Sequence, residues 1–444
     1  MIIYGFISEN AKQPVFIMIS MIFLAVTDIL SAIGIIIMAV ILAVYGRLSK
    51  SLRKRKVLFL ILTIINMLLC VGSFIGWSIY NGTKFESANS FLRYCPIGAS
   101  FFFLQAFRFI IDIYTGRING TLSINDSLDY LLFYPRLVMG PVMTYNEHRQ
   151  MLIKSKINTE KTGEGLSLLI KGLSKKLLIA DTIGLTFFPL YGNLDRDSTL
   201  LMSWLTVLAF ALEFYFIVSG YGDMAKGIAL CYGFDIPESY KYPLFSGSFS
   251  RLDSEWNISV VSWIKEFFAP MFRYNKWQSV IGMTLVGIIL GFWYRPQLNV
   301  IICGAWIGLW IGLDRFIEAR WNHIPKILKG IVFFLIIFLG LSFFMSDSMA
   351  ESIRSLGLLV GSSANIAKSQ DFYYLRSSGI ILLIAVYGAT GNFSVILERI
   401  RKNPLLERVI SVMGFAVQLL LFILCIIVLV TCNDITALQF KGAM

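Results

Sequence analysis

A ladder of apolar runs governs what this chain can fold into. The runs cover residues 15–45, 57–80, 96–114, 166–190, 200–218, 279–293, 300–313, 327–344, 380–389 with its flanks, and 409–430. A helix that crosses a bilayer needs about 20 mostly apolar residues, and several runs have that length. The first is long enough for one tilted helix or a broken pair, with Asp28 inside it. The fourth is weakened by Lys171, Lys175 and Lys176. Runs 279–293 and 300–313 are short and back to back. Lipid cannot satisfy a bare backbone, so segments too short to span must be buried in protein. The expected fold class is all-α: a multi-pass integral membrane protein with about ten to eleven membrane helices and re-entrant segments. It is read as a single polytopic domain over residues 1–444.

Composition agrees. Hydrophobic residues make up 57% and charged residues 15%, against roughly 25% charged in soluble proteins. That balance excludes a water-soluble enzyme and a disordered chain. The first run is too long for a signal peptide and lacks a basic leader and a cleavage site, so it reads as a retained helix. The net charge of +12 sits mainly in segments 47–56, 154–176, 265–276, 315–329 and 399–408. These alternate with less basic segments 81–93, 192–198, 346–371 and the C-terminal tail. The basic set is read as cytoplasmic and the other as outward-facing. Membrane lipid headgroups therefore account for the charge, and no nucleic-acid partner is needed. Localisation in the cell (cytoplasmic) membrane is the expectation.

Two histidines, His148 and His323, exclude any site built on several imidazoles. The six cysteines are scattered without a C-x-x-C pair and read as small core residues, so neither a metal site nor a disulfide framework is expected. Both histidines lie in basic loops and are read as solvated or interfacial.

Three polar stretches interrupt the apolar context. Glu213 to Gly227 contains Ser219-Gly220-Tyr221-Gly222-Asp223, where a helix is expected to end near the glycines. Asp223 and Lys226 then form either an i, i+3 ion pair at a helix terminus or part of a functional site. Asp253 to Lys265, continued to Phe267, carries Trp256, Val260, Trp263 and Phe267 at helical spacing, with Asn257 and Ser259 beside the stripe. It reads either as an amphipathic helix at the cytoplasmic interface or as part of a site. Phe133-Tyr134-Pro135-Arg136-Leu-Val-Met-Gly140-Pro141 cannot form a regular spanning helix, and broken backbone at membrane depth lines cavities.

Together these stretches resemble the membrane-bound O-acyltransferase family, in its bacterial branch of alginate O-acetyltransferases and teichoic-acid D-alanyl transfer proteins. Pro96-Ile-Gly98-Ala-Ser100-Phe101 through Asp112-Ile-Tyr114-Thr-Gly116 is similar to a family segment. So are Tyr134-Pro135 through Gly140-Pro141, Lys175-Lys176-Leu-Leu-Ile-Ala180-Asp181, and Ser219 through Gly227. Trp256-Asn257-Ile-Ser259 and Gly291-Phe-Trp293 complete six motifs in order over about residues 94–320. The resemblance implies an MBOAT-like core at 94–320 between N-terminal helices (1–90) and C-terminal helices (321–444), around a central tunnel. It implies an acyl donor, acetyl-CoA or an acyl carrier thioester, with no bound cofactor. The acceptor would be a cell-surface polysaccharide, and an acyl donor protein or an extracellular acyltransferase would be the partner. Candidate tunnel or substrate-binding residues are Tyr134, Pro135, Gly140, Pro141, Tyr221, Asp223, Trp256, Ser259, Trp293 and Arg295.

Family catalysis pairs the residue at Asn257 with an invariant histidine acting as general base on the acceptor hydroxyl. In this register that position is Tyr294, and a second histidine of the bacterial branch is replaced by Ile307. The basic pair before Trp256 is Ser254-Glu255. A phenol keeps its proton several pH units above an imidazole, so it is a poor base. The catalytic pair that the resemblance implies is thus Asn257 and Tyr294, with Asp223 or Glu213 able to act as a base if desolvated. Three readings remain: a scaffold with ordinary catalysis lost, an active acyltransferase with a reorganised site, and a non-enzymatic translocation component.

Overall fold

In the computed structural model the described residues are 9–27, 29–84, 99–118, 122–137, 139–194, 198–321, 325–362, 365–392, 400 and 403–431. They contain no strand. The helices are α1 (Glu9–Thr27), α2 (Ile29–Leu52), α3 (Lys56–Lys84), α4 (Ala99–Thr115), α5 (Ile124–Leu131), α6 (Tyr134–Leu137), α7 (Tyr145–Lys154) and α8 (Thr159–Ser174). After a π-helical segment, Lys175–Ala180, come α9 (Asp181–Gly192), α10 (Leu200–Cys231), α11 (Phe249–Glu255), α12 (Ile258–Phe267), α13 (Met271–Tyr274) and α14 (Lys276–Tyr294). The last are α15 (Leu298–Trp321), α16 (Lys326–Met345), α17 (Met349–Val360), α18 (Ser369–Ala389) and α19 (Pro404–Thr431). Among the described residues, seven helices are long and apolar enough to cross a membrane, and two shorter apolar helices accompany them. The first apolar run carries α1 and α2 on either side of Asp28, which lies outside the described residues. The protein is an all-α, multi-pass membrane protein.

The chain divides into two compact units, Met1–Leu169 with Tyr221–Glu238, and Ile170–Gly220 with Ser239–Ala443. In the first unit, α2 lies against α1, α4 and α5. Phe16 is the hub of its core, with the rings of Phe133, Tyr134, Phe234 and Tyr232 at 5.0, 5.3, 5.4 and 5.6 Å. Helix α10 runs straight through Ser219–Gly222, where the sequence suggested an end. These glycines are packing surfaces. A Cβ on Gly227 would lie 2.6 Å from the Gly165 carbonyl oxygen, and one on Gly220 would lie 2.9 Å from that of Gly172. Close backbone approach of this kind is the usual role of small residues between membrane helices. The expected Asp223–Lys226 pair is not formed: Lys226 sits 3.2 Å from Glu238.

His148 is 1% exposed, against the expectation of a solvated loop. A capping box at Thr144 and Glu147 starts α7 and turns its first face inward. His148 Nε2 then lies 3.2 Å from Asp129 Oδ2, and Arg136 Nη2 lies 3.2 Å from Nδ1. Arg136 can only donate, so Nδ1 accepts and the neutral ring carries its proton on Nε2. His323 lies outside the described residues. Burial, followed by the neighbouring Arg136 guanidinium, holds the His148 imidazole below its usual range, while Asp129 opposes them. A histidine held neutral binds fewer protons when folded than when unfolded. Stability of the first unit is therefore complete above about 6.5, the ordinary imidazole value, and falls as pH drops through it. With two histidines in the chain, the imidazole NMR signal lost in His148→Gln should be the Nε2–H tautomer and titrate below the ordinary value. A normal titration would contradict this.

In the second unit, α14 and α15 form a tight hairpin. A Cβ on Gly287 would stand 2.0 Å from the Gly304 carbonyl oxygen, and one on Gly304 would stand 2.1 Å from that of Gly287. Cβ atoms on Gly291 and Gly308, one turn along each helix, would stand 2.5 and 2.3 Å from the Val300 and Met283 carbonyl oxygens. Only 6% of Val412–Thr431 in α19 is buried within the protein, so lipid is its natural cover.

Candidate functional site

The second unit assembles a site from three chain segments. Ser248 caps α11 by accepting the Arg251 N–H. Helix α11 ends at Trp256, and Asn257 then takes a left-handed conformation with φ 41° before α12 begins. For a residue with a Cβ that conformation costs about 1–3 kcal/mol and occurs where surroundings over-determine it. Here two backbone bonds hold the corner, from Ile258 N–H to the Ser239 carbonyl at 2.9 Å and from Lys241 N–H to that of Glu255 at 3.0 Å. They set Tyr240 edge-on to Trp256, with ring centres 5.5 Å apart.

The third segment is the end of α14. Pro296 disfavours helical backbone at the residue before it, so Arg295 is extended and Tyr294 is the last helical residue. The Arg295 guanidinium donates to the Ser346 carbonyl and lies 3.7 Å from Asp347. Asn299 Nδ2 donates to the Phe343 carbonyl at 3.1 Å. These bonds fix the α14–α15 turn against the end of α16.

Tyr294 is thereby pointed at the corner. Its hydroxyl oxygen receives the Trp256 Nε1–H at 3.1 Å and an Asn257 Nδ2–H at 3.5 Å. A phenol oxygen offers two lone pairs and one proton. Two protein donors point at its lone pairs. Phe214 packs at 5.6 Å, Phe344 at 5.9 Å and Trp293 at 4.7 Å from the Tyr294 ring. Below this cluster lies a cavity of about 110 Å³. Its wall is almost wholly apolar and includes Tyr294, Trp256, Leu290, Val300 and Ile307. Tyr294 and Ile307, the two positions where the family resemblance calls for histidine, thus face one space. The single charged residue on the wall is Asp253, whose Oδ2 holds the Lys265 ammonium.

Comparison with curated proteins bears on this geometry. The chain is 28% identical to the probable alginate O-acetylase AlgI of Pseudomonas aeruginosa over 268 residues, 58% of this chain and 50% of that protein. It is 26% identical to the peptidoglycan O-acetyltransferase of Helicobacter pylori over 343 residues, 68% of this chain and 64% of that one. This chain is similar to O-acetyltransferases of the membrane-bound O-acyltransferase family. A third such relative, the teichoic acid D-alanyltransferase of Bacillus subtilis, is 22% identical over 243 residues, 51% of this chain and 60% of the relative. The match spans about half the length of the alginate O-acetylase. No family model matches the chain.

In this O-acyltransferase homologue the candidate residues fall into separate groups. Asn257, Trp256 and Tyr294 meet directly, with the Trp293 ring tilted against that of Tyr294. Ser259 lies two residues on in α12 and does not line the cavity. Arg295 is a 2% exposed structural pin. Tyr134, Pro135, Gly140 and Pro141 belong to the first unit, where Gly140 makes room for Arg136: a Cβ there would meet the Arg136 Cα at 2.3 Å. Tyr221 and Asp223 are half-buried on the end of α10 in that same unit. Tyr240, Phe214 and Asp253 were not among the sequence candidates. Tyr240 lies in an irregular segment with no motif of its own, and Asp253 stands where an ordinary helix-surface carboxylate would.

Proposed function

We propose that this chain serves O-acylation of a cell-surface polymer at the cytoplasmic membrane, on an acyltransferase scaffold whose histidine-dependent transfer step is lost. The relatives are described as acting on alginate, peptidoglycan and teichoic acid, which supports a polysaccharide-type acceptor. An acetyl-CoA or acyl-carrier thioester donor and a partner acyltransferase belong to the same reading. The observation that carries it is the Tyr294 hydroxyl. It occupies the convergence point of the Trp256 and Asn257 donors and has no lone pair left for an acceptor hydroxyl. Ile307 sets an apolar side chain on the cavity wall where the resemblance calls for a second histidine. The purified chain is expected to show no acetyl-CoA hydrolysis or acyl transfer above a no-protein control, and Tyr294→Phe is expected to match wild type.

One observation favours a second reading, an active enzyme with a reorganised site. Asp253 Oδ1 is buried at the cavity wall with no hydrogen bond among the described residues. Transfer by the wild-type chain that disappears in Asp253→Asn would establish that reading and overturn the first.

A further inference from the structure

Away from that cavity, the second unit holds an ionisable cluster that the reading above does not use. Residues Lys175–Ala180 form a π-helical segment, with the Asp181 N–H bonded to the Lys176 carbonyl five residues back. In an α-helix, residues five apart point in different directions. The wider π-turn brings i and i+5 onto one face, and single π-turns are frequent at functional sites. Here it delivers the Lys176 ammonium to both carboxylate oxygens of Asp181, at 2.8 and 2.7 Å. Lys176 is 4% exposed.

Glu213 faces this segment from the membrane-crossing part of α10. It is 1% exposed, and its Oε2 has no hydrogen bond among the described residues. The other oxygen sits against Gly184, one turn past Asp181, where a Cβ would come within 2.7 Å of it. Glycine at 184 is therefore what gives the carboxyl room. Asp181 and Lys176 are its electrostatic neighbours. An unpaired charge at membrane depth is costly, and buried ionisable groups in such helices mark relays and ion paths. The cluster has one ammonium and two carboxyls, so it is neutral only when one carboxyl carries a proton.

We propose that Glu213, Lys176 and Asp181 form an intramembrane proton-binding site, with the proton held on Glu213 and exchangeable with Asp181. Binding forms the Glu213 O–H bond and release breaks it, and no other co-reactant is involved. The site is independent of the acylation reading, because none of its three residues lines the cavity at Tyr294.

Infrared spectroscopy of the full chain in lipid nanodiscs tests this. The wild-type protein at neutral pH is expected to show a carboxylic-acid carbonyl stretch. It should shift in heavy water and on incorporation of isotope-labelled glutamate, and be absent in Glu213→Gln. Asp181→Asn keeps Glu213 but frees Lys176 to pair with it, so the band should vanish there too, as Glu213 becomes a carboxylate. The labelled wild-type measurement needs no variant to fold. Absence of a glutamate carbonyl band in wild type overturns the proposal, as does a band that Asp181→Asn leaves unchanged.

Discussion

The double variant Tyr294→His, Ile307→His is expected to gain thioester hydrolysis or acyl transfer by roughly 10²–10⁴ over wild type, the usual contribution of a positioned general base. Imidazole is smaller than phenol, so the substitution at 294 enlarges the 110 Å³ cavity towards the corner. It also releases the Trp256 Nε1–H and the Asn257 Nδ2–H, which now end on the tyrosine oxygen. Two preorganised donors beside a base are the elements that polarise a carbonyl and activate a hydroxyl. The measurement is acetyl-CoA turnover by well-folded protein, with the two single variants alongside. The single Ile307→His should remain silent, because the tyrosine still fills the corner. A folded double variant as inactive as wild type would show that the departures at Ser254 and Glu255 removed something equally necessary, and the intact-scaffold idea would fail.

Gly304→Ala is expected to destabilise the chain by about 3 kcal/mol, at the upper end for forcing extra carbon into a packed core. The added methyl would stand 2.1 Å from the Gly287 carbonyl oxygen. The obstacle is helix backbone, which cannot rotate away as a side chain can, so α14 and α15 must separate. That motion also dislocates Tyr294 and opens the cavity they line. Gly379→Ala in α18 is the matched control, since nothing lies within 4 Å of its added Cβ. There the gain in helix propensity should be neutral to stabilising by about 0.5–1 kcal/mol. Thermal unfolding in detergent, followed by tryptophan fluorescence, compares the two. Equal midpoints would mean that the glycine contact does not hold the hairpin.

Much of the helical ladder was legible because the membrane imposes length and continuous apolarity on each span. The boundaries of α14, α16 and α19 lie close to the ends of their apolar runs. The end of α10 was misjudged for a physical reason: Gly220 and Gly222 signal a helix stop in water, but between packed helices Gly220, like Gly227, serves close approach. The G-x-x-x-G spacing of Gly287 with Gly291, and of Gly304 with Gly308, was present in the sequence and carried the same meaning. His148 was misplaced because its neighbours in sequence are basic, whereas its neighbours in space, Asp129 and Arg136, come from other helices. At the site, motif register alone brought Asn257, Trp256 and Tyr294 to one place. Tyr240 was out of reach, because its position depends on backbone bonds between residues 239–241 and 255–258 that no side-chain pattern encodes.

The π-turn at Lys175–Ala180 makes chain length itself part of the structure. One residue more than an α-helix needs is stored there, which sets the angular phase of α9 relative to everything before it. Winding the same residues as an ordinary α-helix, with none removed, would rotate Asp181, Gly184 and the rest of α9 by about 100°. Every side chain would survive, yet Lys176 would lose Asp181, and Glu213 would face a different stripe of the helix. The spacing between the two halves of this segment is therefore as much a determinant of the buried cluster as the identities of its residues.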